Sequence, residues 1–468
     1  MLDFYNLKES KNVELKESKI DVPISIYQTI SAFANSRGGI IVLGVKENKN
    51  GPNDIVGVIN PEKEIKDLLN VCSNQTKISN RVIDDKDVSI EIIDGKKIIL
   101  INVNECTIND KPIYLNGNIK ESYIRIGDGD RRATEHELRA MLIDSSPISF
   151  DSKVNALGYD FNSINLSTLH SYRSEMNNRT PNNIFIECDD EEFLKHIGVL
   201  KLDEHGKFLL TNAGVMMFTD YLKIVEVFPE YLLDFRIADS FSLKWSDRLT
   251  MDELTWTGNL FDFYTKTLAK MAPILPSPYY AKDFKDIGKQ LIFDAAKESI
   301  VNAITNYQPC LNGGIKILIN SNGLLVENAG KMKIKIEDVI IGGNSMPRNP
   351  SIMLLFRLIG ACDRAGTGIP TIFDTFDKLN YNTPILKEEN FPDKTSLFLP
   401  FICIDQNIKD NIVYKVLIKY GSFLTLNEIC DLTGYGRTTV SKELSKLIAM
   451  NKIVTNGKIT SGKAFKIK

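Results

Sequence analysis

The stretch SAFANSRGGIIVLGV, residues 31–45, decides how the N-terminal part of this 468-residue chain is read. It overlaps IYQTISAFANS (26–36), which places Ile26, Ile30, Phe33 and Ala34 on one helical face, the spacing of an amphipathic helix. Gly38-Gly39 ends that helix, because a C-cap favours the left-handed backbone that glycine adopts without strain. IIVLGV (40–45) then runs on without a polar break, which predicts a strand buried on both faces.

Further along, VSIEII (88–93) and KKIILINV (96–103) flank Asp94-Gly95, a pair that favours a two-residue hairpin turn. SYIRIG (122–127) reads as another strand. Thr134 and Glu137 stand in capping-box register ahead of the helix EHELRAMLI (135–143). The first domain is therefore expected to be α+β and to span residues 1–143.

A chain of 468 residues is long enough for about three domains. Its 43% apolar and 25% charged content is that of soluble globular proteins. No apolar run reaches the ~18 residues needed to span a bilayer, and MLDFYNLKES has no signal-peptide apolar core. A cytoplasmic protein with no membrane partner is expected. The seven cysteines form no C-x-x-C, which argues against a disulfide framework or zinc cluster. His136, His170, His196 and His205 show no metal-ligand spacing, so a histidine-based metal site is not expected. The net charge of −3 is uneven: from Ile408 onward, ten Lys and one Arg face two Asp and two Glu, a local +7 that leaves −10 elsewhere. A basic tail on an acidic body suggests that the tail meets phosphate.

KESKNVELKES (8–18) holds Glu9, Glu14 and Glu17. By residue type alone they read as a solvated face, paired with Lys11, Lys16 or Lys19. Against that, carboxylates repel phosphate unless a metal intervenes.

The order E-S-K-N-V-E-L-K (9–16), S-A-F-A-N-S-R-G-G-I-I-V-L-G-V (31–45), N-D-I-V-G-V (53–58) and S-Y-I-R-I-G (122–127) resembles the Schlafen AlbA-like domain over nearly all of residues 8–143. Eukaryotic Schlafen nucleases cut tRNA with two glutamates five apart and one acid after the Gly-Gly strand. The resemblance thus implies catalytic and metal-binding roles for Glu9, Glu14 and Glu47, although Lys46 stands where the family often has a second acid. Clustered carboxylates would bind Mg²⁺ or Mn²⁺, polarising a phosphodiester and activating its nucleophile. Lys16 would reach a phosphate oxygen, while Arg125, Arg131 and Arg132 would hold the backbone. The family core has two such lobes and this chain shows one, which implies a homodimer.

SSPISFDSK (145–153) has linker composition. Residues 154–280 read as a connecting α/β region without evident chemistry, containing Trp245 and Trp256, with KFLLTNAGVMMF (207–218) as a structural connector. In QLIFDAAKESIVNAITNY (290–307), Phe293, Ala296, Ile300, Ala303 and Ile304 share a face, and Glu298 and Asn302 lie one turn apart. GGIKILIN, GLLVENAG, IGGNSMPRNP and DRAGTGI follow. The series E-x-x-x-N, E-N-A-G, S-M-P-R-N-P and G-T-G resembles a divergent GHKL-type ATPase module, placed at 281–402. The resemblance implies ATP binding, with Asn302 holding Mg²⁺ and Glu298 orienting water. Asn328 and Gly330 stand in place of the usual adenine-binding D-x-G, Gly366 and Gly368 form a short phosphate loop, and Arg348 would meet a phosphate.

From 408 to 468, three helical segments precede an alternating KIVTNGKITSGKAFKIK with Asn456-Gly457 at its turn. Ile412, Val416 and Ile418 to Tyr420 are placed in the first helix, which Gly421 ends, and Thr425 and Glu428 cap the second. Val440, Leu444 and Leu447 face inward in the third. This predicts a winged helix-turn-helix whose Arg437, Thr438, Thr439, Ser441 and Lys442 meet duplex DNA. Lys458, Lys463, Lys466 and Lys468 make its wing basic.

Two functions are in view. One is a metal-dependent Schlafen-like RNase acting on tRNA-type substrates in stress or anti-phage defence, gated by nucleotide. The other is an ATP-responsive DNA-binding transcriptional regulator without nuclease activity. The paired glutamates favour the first and the readable recognition helix the second.

Overall fold

The computed structural model describes residues 3–48, 51–185, 187–238, 245–277, 285–362, 366–389, 392–402, 411–420, 423–450, 453–456 and 463–467. The chain divides into two units, 1–150 and 151–468.

In the first unit, β1 (Val13–Lys16), α1 (Ser25–Asn35) and β2 (Gly39–Leu43) form a crossover that leaves β1 and β2 parallel, with Val13 beside Ile40. After α2 (Pro61–Cys72), the hairpin of β3 (Val88–Ile93) and β4 (Lys96–Val103) completes a sheet ordered β1-β2-β4-β3. Asp94 and Gly95 turn the hairpin at φ +47° and +76°, as the sequence predicts. Ile41 and Leu43 of β2 enter one apolar cluster with Ile26, Ile30 and Phe33. Val42 and Val45 enter another with Phe4, Leu15 and Ile98. Both faces of β2 are covered, which explains its unbroken apolar run. Gly38 has φ +70°, and a Cβ there would sit 2.6 Å from the Val103 carbonyl, so the stop after α1 requires glycine. A second sheet joins Tyr114–Leu115 to β5 (Asn118–Ile126) and β6 (Gly129–Arg132), followed by α3 (Glu135–Asp144) with its complete Thr134–Glu137 capping box.

The second unit opens on a segment with linker composition that is nevertheless packed. Asp151 is buried, and its Oδ2 accepts the Ile352 N–H at 2.9 Å. Helices α4 (Leu166–Arg179), α5 (Asp190–His196) and α6 (Asn212–Phe218) follow, the last buried at every position. β7 (Leu233–Ile237), β8 (Asp247–Thr250), α7 (Leu260–Met271) and the long α8 (Lys285–Asn306) lead into β9 (Ile315–Asn320) and β10 (Gly323–Ala329). α9 (Pro350–Leu358), α10 (Gly368–Lys378), β11 (Ile385–Glu389) and β12 (Lys394–Pro400) complete a six-stranded sheet ordered β8-β7-β9-β10-β12-β11. β7 pairs in parallel with β9, Leu233 beside Ile315. The sheet therefore draws strands from both sides of the 280/281 boundary expected from sequence.

The C-terminal segment has its own core. α11 (Ile412–Tyr420), β13 (Leu424–Thr425), α12 (Leu426–Thr433), α13 (Arg437–Ala449), β14 (Ile453–Thr455) and β15 (Ala464–Ile467) give three helices and a sheet ordered β13-β15-β14. Val440, Leu444 and Leu447 are inward, as expected. In α11 the inward residues are Val413, Tyr414 and Leu417, while Ile412 and Tyr420 are exposed. Asp363 to Ala365, Gly421, Gly457, Lys458 and Lys468, named in the sequence reading, lie outside the described residues, as does the side chain of Ile418. Among the described residues, no helix is long and apolar enough to cross a membrane.

Candidate carboxylate cluster and nucleotide cleft

Glu9 precedes β1 in a turn closed by the Ser10 N–H donating to the Val13 carbonyl at 3.0 Å. Its side chain folds back along the strand, where Oε1 accepts the Leu15 N–H at 3.2 Å. Glu47, just beyond the strand pair that follows β2, accepts the Glu9 backbone N–H at 3.2 Å through Oε1. Burial holds the Glu9 carboxyl above its ordinary range, and the charges of Glu14 and Glu47 push the same way against the Leu15 N–H and Lys16. The three glutamates are thus electrostatic neighbours.

Glu14 is only 5% exposed, with Lys16 Nζ at 2.5 Å from Oε1 and Arg125 Nη2 at 2.7 Å from Oε2. The Arg125 approach is ionic, since Oε2 receives no aligned hydrogen bond. Arg125 is itself buried. It pairs with Asp130 at 2.9 Å, donates to the Ser10 and Val13 carbonyls at 2.9 and 3.2 Å, and lies over the Phe33 ring at 5.1 Å. The expectation that Arg125 holds a nucleic-acid backbone is therefore corrected: it anchors the loop that carries the glutamates. Arg131 is engaged by both oxygens of Glu137 at 2.9 and 2.6 Å, whereas Arg132 is exposed. Among the expected partners, Lys16 meets the buried Glu14, whereas Glu17 meets Lys46 at 3.0 Å on the surface.

The ligand atoms of Glu9, Glu14 and Glu47 do not all approach within 4.8 Å of one another. Among the described residues, those of Cys188, Glu192 and His196 do. The expectation that no histidine has ligand spacing is thereby corrected for His196. The three positions are four apart, but no two share a residue type, so a search for like pairs passes over them. For the glutamates, the donors left to a divalent cation are the carboxylates of Glu9 and Glu47, since both oxygens of Glu14 already face cations, Lys16 and Arg125.

In the second unit a cleft is lined by Glu298, Asn302, Asn306, Lys333, Asn344, Ser345, Gly366 and Gly368. Asn302 Nδ2 donates at 2.9 Å to Glu298 Oε1 and to the Glu298 carbonyl. A Cβ on Gly368 would collide with Glu298 Oε1, so glycine lets the loop close on that carboxylate. An adjoining hollow, sharing Asn302 and Asn306, is walled by Ala303, Val326, Ile369, Leu386 and Leu397, with Ser299, Asn328 and Thr395 as its polar groups. One polar end and one apolar end with a few hydrogen-bonding groups suit a nucleotide's phosphates and base.

Two expected ligand residues stand behind the wall. Arg348 is 4% exposed, donating to the Asn306 carbonyl at 2.5 Å and the Lys331 carbonyl at 2.8 Å. Gly330 packs against that guanidinium. Arg348 is thus a brace rather than a phosphate ligand, because its donors are spent on buried carbonyls. Asn306, Lys333, Asn344 and Thr395 were not singled out from sequence. Only Asn306, one turn beyond Asn302, carried a spacing signal.

Residues 9–134 match the family model Schlafen, AlbA_2. The N-terminal domain is Schlafen-like. Residues 312–396 of this Schlafen-like chain match "Putative ATP-dependent DNA helicase recG C-terminal", an ATPase-like module, and 139–234 match a domain of unknown function (DUF8451). Glu298 and Asn302 lie before the ATPase-like match. No curated protein gives a significant match. The crystal structure of the DIP2311 protein from Corynebacterium diphtheriae is 18% identical, covering 98% of this chain and 80% of that one at a TM-score of 0.43. The solution structure of the N-terminal domain of a "Putative ATP-dependent DNA Helicase RecG-related Protein" from Nitrosomonas europaea is 26% identical over 27% of this chain and 85% of that one, with a TM-score of 0.20.

In the C-terminal segment of the Schlafen-like chain, Arg437, Thr438, Thr439, Ser441 and Lys442 are all exposed on the first turns of α13. Lys463 and Lys466 lie over Phe465 and Phe423 at 5.5 and 5.8 Å.

Proposed function

We propose that this is a nucleic-acid-acting protein whose Glu9–Glu14–Glu47 cluster supports Mg²⁺- or Mn²⁺-dependent cleavage of structured RNA of the tRNA type. In this reading the cleft binds ATP as a control, a second copy supplies the second lobe, and the setting is stress or anti-phage defence. The observation that carries it is the contact of Glu47 with Glu9, from segments 38 residues apart, beside a buried Glu14. A cation held by Glu9 and Glu47, with Glu14 behind them, would supply Lewis-acid polarisation of the scissile phosphate and an activated nucleophile. Lys16 and Arg125 hold Glu14 in place. Arg132 is the exposed cation left to steer a phosphate backbone.

The test is incubation of the purified chain with tRNA in Mn²⁺ or EDTA, beside Glu9→Gln and Glu47→Gln variants. Cleavage should require metal and vanish in both variants while RNA affinity stays equal or rises, since anionic repulsion is removed. Unchanged cleavage in the variants would sink the assignment.

A second reading is favoured by the exposed face of α13: the C-terminal segment is a winged helix-turn-helix, and the chain an ATP-responsive DNA-binding transcriptional regulator. Metal-indifferent duplex binding without RNA cleavage would promote it.

A further inference from the structure

The side of α5 facing the loop before it carries three different metal-ligating side chains. Asp189 caps α5 by accepting the Glu192 N–H at 2.7 Å. Cys188 stands just before the cap, while Glu192 and His196 follow at one-turn intervals, so they share a side of the helix. One ligand atom from each lies within 4.8 Å of the other two.

Residues outside the trio hold two of its members in place. Arg173 of α4 donates to the Cys188 carbonyl at 2.7 Å and to the Phe185 carbonyl at 3.4 Å, pairs with Asp190 at 2.6 Å, and lies over the Phe193 ring at 4.7 Å. The His196 imidazole stacks on Phe185 with centroids 5.1 Å apart and an interplanar angle of 23°. Supports of this kind orient ligands ahead of the ion. The surroundings are anionic: Glu187, Asp189, Asp190, Glu191 and Glu192 are adjacent in sequence, Asp190 absorbs the Arg173 charge, and Glu191 absorbs that of Lys195 at 2.7 Å.

We propose that Cys188, Glu192 and His196 bind a zinc ion through thiolate, carboxylate and imidazole. Mixed S, N and O donors in a set of three suit Zn²⁺ with a fourth position left to water. The partial exposure of Glu192 and His196, 56% and 47%, leaves room for that water. Binding replaces the Cys188 S–H bond with an S–Zn bond and releases one proton to solvent for each ion taken up. The ion clips the loop before α5 to the helix. This site is separate from the carboxylate cluster and the cleft and stands independently of the function proposed for them.

The test uses the full chain without an affinity tag, stripped with chelator and titrated with Co²⁺. A thiolate-to-cobalt charge-transfer band should appear, with the intense visible bands of a four-coordinate site, and Zn²⁺ should displace both. Cys188→Ser should lose the charge-transfer band with an unaltered circular dichroism spectrum, and His196→Ala should weaken binding by about tenfold or more. Absence of the band in the parent chain, or its persistence in Cys188→Ser, would overturn the proposal.

Discussion

Replacing Arg125 with alanine separates two roles for that side chain: a phosphate clamp at the surface, or an anchor beneath the glutamates. The guanidinium has four polar partners, Glu14 at 2.7 Å, Asp130 at 2.9 Å, and the carbonyls of Ser10 and Val13 at 2.9 and 3.2 Å, and is 4% exposed. Alanine leaves Glu14 buried with Lys16 as its remaining ion-pair partner. Removing one member of a buried ion pair costs about 3–5 kcal/mol, or about two to more than three powers of ten in an opening equilibrium. Hydrogen exchange of the full chain should show β1 and β5 amides accelerated by that factor, because their opening reports the local stability of the network. Arg132→Ala, an exposed control, should change exchange by less than about threefold, the effect of a surface substitution within 0.5 kcal/mol. Arg125→Lys should fall between, since one ammonium cannot reproduce the planar fork. Acceleration below about tenfold in Arg125→Ala would refute the anchor and return Arg125 to the nucleic-acid surface.

Other consequences follow from the same geometry. The Glu9 carboxyl is held above its ordinary value of 4.5 by burial and by Glu14, so ionising it costs folding stability as pH rises past that value. Glu9→Gln should match the parent in melting temperature at low pH and exceed it at neutral pH; a constant difference across pH would contradict this. Gly368→Ala should displace Glu298 and break its 2.9 Å hydrogen bond with Asn302, a loss of about 1 kcal/mol or roughly fivefold in nucleotide Kd by calorimetry. Unaltered affinity there and in Asn302→Ala would move the nucleotide elsewhere. Arg437→Glu with Lys442→Glu should weaken duplex-DNA binding and make the log Kd against log salt slope shallower by about 2, and no effect would assign α13 to another partner.

Where side-chain period or turn chemistry is local, the sequence alone was sufficient. The α1 face, the glycine stop, the doubly buried β2, the Asp94-Gly95 turn and the Thr134 and Thr425 capping boxes depend on neighbours a few residues away, and each is found. The order of family motifs likewise gave the Schlafen-like domain and the ATPase-like module. Partnership across the fold was not legible. A sequence lists Arg125, Arg131 and Arg348 as cations available to phosphate; burial against Glu14 and the Asn306 carbonyl withdraws Arg125 and Arg348, and pairing with Glu137 engages Arg131. The extension of the six-stranded sheet across residue 280 and the meeting of Cys188, Glu192 and His196 were also settled in three dimensions. The reason is physical: hydrogen-bond and charge partners such as Glu14 with Arg125, or Asn306 with Arg348, are brought together by the fold and carry no period along the chain, so only packing determines which cations are engaged and which carboxylates stand together.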